Sequence, residues 1–140
     1  MKQLFPLDSK VIAENEDAAR KAYERGDYIA CLLIIHALIE ALLRTFLDGN
    51  EKKRFSDLVG EYKRFLEKER QTEPVFVDEL IQFNRRRNRT IHNLWEKGYV
   101  EINRKLEPVC RTAFIMYGLF IEWLQTFNDN IAEAGFNYDK

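Results

Sequence analysis

Leu32-Leu33-Ile34-Ile35-His36-Ala37-Leu38-Ile39-Glu40-Ala41-Leu42-Leu43 is the stretch from which the fold is read. It lies within a run, Tyr28 to about Leu47, that is apolar on nearly every side. A helix of that character belongs in the middle of a bundle rather than on its surface. Gly26 stops whatever precedes it, Asp27 is a ready N-cap, and Asp48-Gly49-Asn50 ends it. His36 and Glu40 interrupt the apolar stretch from Tyr28 to Leu43, which leaves it short of a membrane span.

Working outward, the sequence predicts helices on both sides. Asp8 or Ser9 caps a first helix to about Arg25, with Val11, Ile12, Ala18, Ala19, Ala22 and Tyr23 as its apolar side. Phe55, Leu58, Val59, Tyr62, Phe65 and Leu66 repeat at helical spacing and define a third helix. Thr72-Glu73-Pro74 breaks the chain and puts Pro74 near the first turn of a fourth, whose inner face is Val77, Leu80 and Ile81. Gly98 marks a turn. A last helix covers roughly Val100 to Phe127, with Pro108 either kinking it or marking its true start. The tail, about residues 129–140, reads as frayed. No strand pattern, repeat or Gly-rich phosphate loop occurs, so the expectation is one all-α domain over residues 1–140, a bundle of four to five helices.

The bulk numbers agree with a folded domain. A hydrophobic content of 46% with 32% charged residues excludes a disordered chain. Cys31 and Cys110 sit in apolar helical pattern, where cysteine acts as a small hydrophobe, and they make neither a disulfide framework nor a metal site. Met1 to Lys10 lacks the apolar core of a signal peptide, so the cytoplasm is the expected compartment. Net charge is only −1, but it is unevenly spread. Gln82 to Thr112 carries eight basic and three acidic residues, a local excess of +5 against −6 elsewhere. Such a field attracts a polyanion in a salt-dependent way.

Within that segment, Arg87-Asn88-Arg89-Thr90-Ile91-His92 holds the candidate chemistry. Cleaving RNA without a metal needs a base for the ribose 2′-OH, an acid for the leaving 5′-oxygen and a cation for the crowded phosphorane. His92 suits the first or second task, because imidazole exchanges protons near neutral pH. Arg87 suits the third, since a guanidinium grips phosphate oxygens as a fork. One histidine is too few for acid and base in one turnover. Two copies across a two-fold axis would supply both, which points to a homodimer with a composite site. Arg87 and His92 stand about 140° apart on a regular helix. Asn88 shares a face with His92 and can orient the imidazole or touch phosphate. Arg85, Arg86 and Arg89 are electrostatic helpers for RNA, or else a solvated helix end.

Arg-Asn-x-x-x-His late in an all-helical chain of this length, after a long apolar second helix, resembles the HEPN superfamily. The resemblance implies a metal-independent endoribonuclease that acts as a homodimer without a cofactor, often as a toxin or defence effector. Arg87 and His92 would be its paired-motif residues and Asn88 the usual polar residue after the arginine. It also implies a possible nucleotidyltransferase or other antitoxin partner. Leu94 departs from the branch that such partners regulate, which has tyrosine there. Some members of the superfamily have lost catalysis and bind a nucleotide, RNA or a protein instead. A third reading is a structural helical adaptor.

Other residues carry two readings. His36 and Glu40, at i and i+4 of the second helix, are either supports for the site or polar groups satisfied within the bundle. Trp95, Tyr99 and Trp123 either stack on bases or complete a core or interface.

Overall fold

The computed structural model describes residues 9–48 and 52–136. They form seven helices and no strand: α1 Ser9–Glu24, α2 Tyr28–Leu47, α3 Phe55–Lys68, α4 Val77–Lys97, α5 Tyr99–Arg104, α6 Glu107–Gln125 and α7 Asn130–Ala134. The Asp8 cap and the Gly49-Asn50 stop lie outside the described residues.

α2 is the axis of the bundle and touches each of the other six helices. Its Cys31, Leu32, Ile35, Ile39, Leu42 and Leu43 are fully buried. The helix reaches 20 residues at a mean hydropathy of 2.0, so by length and composition alone it could cross a bilayer, contrary to the sequence reading. Its surroundings decide otherwise: here it is the core helix of a bundle. Asp27 caps it as expected, its carboxylate accepting from Ala30 N at 3.3 Å.

α1 folds back along α2 through a turn in which Gly26 takes φ +82°. Its inner face is Ile12, Glu16, Ala19 and Ala22, spaced at i, i+4, i+7 and i+10. Val11, expected on that side, is 51% exposed, while Glu16 takes a core position. Tyr117 of α6 makes this tolerable by donating its hydroxyl to Glu16 Oε2 at 2.7 Å inside the core. The same carboxylate, with burial the larger cause, pushes the Tyr117 phenol well above its ordinary value.

α3 buries the stripe its spacing predicts, Phe55, Leu58, Val59, Tyr62 and Leu66. Pro74 is not in the first turn of α4. It opens a turn closed by Val77 N–H on Pro74 C=O at 3.0 Å, with Phe76 in the left-handed region at φ +70°. The last long helix is two: α5 ends at Arg104, and α6 restarts at Glu107 with Pro108 in its first turn. Pro108 therefore marks the true start, where its missing N–H costs no helical bond.

The expected frayed tail is ordered over residues 129–136. α7 packs on α2 and α6, and Ile131 and Phe136 are both fully buried. Gly135 at φ +106° turns the chain, Phe136 N–H reaching back to Ile131 C=O at 3.4 Å. That is a Schellman closure with its apolar pair inside the core. The pattern escapes a search for helical periodicity because the two residues are joined by the cap and not by a helix face.

Candidate functional site

α4 stays a regular α-helix through Arg87 and His92. At about 100° per residue, one stripe runs down it: Val77, Leu80, Asn84, Arg87, Ile91 and Trp95. The first two residues are buried. Asn84 and Arg87 then bring polar groups to a face that began as core. Beyond Thr90 no residue of α4 is buried, and Ile91 and Trp95 are 38% and 88% exposed. Thr90 and Leu94 keep this end of α4 on the core, while Ile91 and Trp95 on the neighbouring side are left exposed.

At the polar step lies a cavity of about 440 Å³ between α2, α3 and α4. His36, Glu40, Arg44, Arg54, Arg87 and Asn88 are among the side chains that line it, and Phe55 is its only apolar wall among the described residues. His36 is buried, stacked on Phe55 with ring centroids 4.3 Å apart, and its Nε2 donates to Asn84 Oδ1 at 2.8 Å. Burial lowers its pKa below the usual imidazole value. The Asn84 bond opposes that shift, the Arg87 charge adds to it, and Glu40 opposes it. Glu40 does not orient a histidine: its carboxylate pairs with Arg44 at 2.6 Å. His36 and Glu40 therefore have partners within the bundle, and both also face the cavity.

Arg87 points the same way. Its Nη1 donates to Asn88 Oδ1 at 2.9 Å. Its Nε is buried with no acceptor among the described residues. A buried donor left without an acceptor is costly.

His92 is exposed and does not line this cavity. In one chain Arg87 and His92 thus occupy opposite flanks of the exposed stripe and are not brought together. The other arginines diverge as well. Arg85 lines a second cavity between α3 and α4, also about 440 Å³. Arg86 and Arg89 line a groove of about 530 Å³ toward α6, floored by Phe83, Val109, Ala113 and Met116. The arginine cluster encircles α4 instead of forming one patch. Arg111 and Lys105 are locally answered by Glu107 at 2.9 Å and Glu101 at 3.4 Å.

The aromatic alternatives separate cleanly. Trp123 donates to Tyr62 Oη at 2.8 Å and packs edge-on to Phe127, so it belongs to the core. Tyr99 donates to the Asp27 carboxylate and braces the α1–α2 turn. Trp95 alone is free to meet something outside the chain. No cluster of three or more metal-ligating residues occurs among the described residues.

Several lining residues escaped the sequence reading, Asn84 and Arg54 among them. Asn84 had a signal, since it stands at i−3 from Arg87 on a stripe that should be apolar. Arg54 had none, because it arrives from the segment before α3. Comparison with known proteins finds no matching family model, no similar curated protein and no similar solved structure.

Proposed function

We propose that this chain is a metal-independent endoribonuclease of HEPN type that works in the cytoplasm as a homodimer. The observation that carries the reading is Arg87, set in a cationic cavity with an Nε that has no acceptor among the described residues, beside an apolar stripe that no described residue covers. A second copy packed over Ile91 and Trp95 would bury that stripe and bring another His92 to the cavity's rim. Large exposed aromatics are typical centres of such contacts.

In this reaction the ribose 2′-oxygen bonds to phosphorus and the P–O5′ bond breaks. One His92 takes the 2′-OH proton and the partner's His92 protonates the departing 5′-oxygen. Arg87 holds the non-bridging oxygens, with Asn88 fixing the guanidinium. Arg85, Arg86 and Arg89 contribute field around α4, and no cofactor is required. A toxin or defence role and an antitoxin partner fit such an activity. Regulation through a tyrosine two positions after the histidine does not, because Leu94 there packs against the core.

RNA incubated with the protein in EDTA should yield 2′,3′-cyclic phosphate ends. Arg87→Ala and His92→Ala should each lose about 100-fold or more in rate. Full activity in His92→Ala removes that residue from the mechanism. Trp95→Ser should shift the chain toward monomer by light scattering and cost activity in parallel.

A second reading, a non-catalytic module binding RNA, a nucleotide or a protein, is favoured by one observation: Arg87 and His92 do not meet within a chain. RNA binding without turnover, insensitive to His92→Ala, would select it.

A further inference from the structure

Among the described residues, five cationic side chains and one carboxylate line the cavity between α2, α3 and α4. The charges do not all remain available. Glu40 is answered by Arg44, and Lys53 pairs with Glu61 beside the cavity. Arg54 and Arg87 are ion-paired with no carboxylate among the described residues. The two guanidiniums reach the same space from different elements, Arg87 from α4 and Arg54 from the start of α3. Ser56, Asn84 and Asn88 add neutral donors at the wall. Donors therefore exceed acceptors, and one of them, Arg87 Nε, is already desolvated and unspent. A tetrahedral anion with several acceptor oxygens fits that imbalance better than a planar carboxylate, because it takes forks from two directions at once. The volume lies within the range of small-ligand pockets.

We propose that this cavity is a phosphate-binding site, with Arg54 and Arg87 as its principal ligands. It takes a phosphate group either from a nucleic-acid strand or from a free nucleotide. The inference shares Arg87 with the ribonuclease reading but does not need cleavage to occur. In a strand, Arg54 holds a phosphate next to the one being cut, so a substrate with consecutive phosphates binds better than a dinucleotide with one.

Arg54 offers a clean test because it is exposed and is the N-cap of α3, a place where its donor-only side chain cannot cap. Arg54→Ser creates a Ser-x-x-Asp start with Asp57, whose carboxylate already accepts from residue 54 N–H at 3.2 Å. The variant should melt at a higher temperature than the parent while losing the anion site. Inorganic phosphate is titrated by calorimetry, and a 2′-O-methyl oligonucleotide, which cannot be cleaved, by fluorescence anisotropy, both at low salt. The parent should bind phosphate, and Arg54→Ser should bind it about 10-fold more weakly. Loss of oligonucleotide affinity in step identifies the strand as the source. Phosphate and adenosine monophosphate binding without the oligonucleotide identifies a free nucleotide, and the site stands. Unchanged phosphate affinity in Arg54→Ser, or no phosphate binding by the parent, overturns the proposal. An RNA cleavage assay run beside these separates the two claims. Arg54-dependent phosphate binding with no cleavage sinks the ribonuclease alone, and cleavage with Arg54-independent phosphate binding sinks this site alone.

Discussion

His36 gives its N–H to Asn84, lies flat on Phe55, and has the Arg87 charge for a neighbour. Burial is the largest influence and favours the neutral ring, the Arg87 charge adds to it, and the Asn84 bond and Glu40 oppose it without reversing it. The folded ring therefore takes up a proton only at a lower pH than an ordinary imidazole does. As pH falls below the ordinary imidazole value, the unfolded chain takes a proton that the folded chain refuses, so stability declines. The contribution is complete above about pH 6.5 and is lost as pH falls through the folded value. Urea midpoints measured from pH 7.5 down to pH 5 should fall, and His36→Gln should flatten the part of the slope that this ring causes. A parent and variant with parallel slopes would remove His36 as the titrating group. At this scale the sequence was only half legible. The i, i+4 pairing of His36 with Glu40 was visible, but their partners were not. Glu40 turned to Arg44 on its own helix, while His36 found an asparagine brought across by α4.

Helices show which physical signals survive without coordinates. α3 was legible because its five buried residues repeat at helical spacing and one amphipathic face suffices to place them. The division between α5 and α6 was open, since Pro108 permits both a kink and a start. The chain breaks between Arg104 and Glu107, and Asn103, near the end of α5, ties that short helix to the α1–α2 turn. Asn103 Oδ1 accepts from Ile29 N–H at 3.0 Å and its Nδ2 donates to Gly26 C=O at 2.7 Å. One amide thereby satisfies a donor at the start of α2 and an acceptor in the α1–α2 turn. Asn103→Leu should cost about 2–4 kcal/mol by denaturant unfolding, because two half-buried backbone groups lose their partners together. A loss under about 0.5 kcal/mol would mean that water replaces the amide freely. No periodic pattern announces such a bridge, as it joins residues 74 and 77 positions apart.

Across the whole molecule, the all-α bundle around α2 follows from apolar patterning, whereas its closure at the C-terminal end does not. Ile131 and Phe136 are inserted beside α2 and α6 by a cap. Fully burying two such side chains stabilises by roughly 3–6 kcal/mol. Ending the chain at Asn128 should lower the urea midpoint accordingly and raise binding of a hydrophobic dye, while a frayed segment would leave both unchanged. The candidate site divides the same way. Arg87 and His92 were legible as a motif in one helix. The cavity that receives Arg87 was not, because α2, the approach to α3 and α4 each supply part of its wall.

Gly135 holds a last consequence. A Cβ on it would stand 2.6 Å from Ser9 Cβ, so the first turn of α1 and the end of α7 are immediate neighbours. The described chain returns to its starting point, and its order around the bundle is close to a ring. A circular permutant with residue 136 joined to Ser9 by a short linker, and opened between the exposed Gln71 and Thr72, should keep helical content and a cooperative melt. Such a chain would begin and end at the α3–α4 connection, and a cooperative melt would show that the bundle does not depend on where the chain is opened.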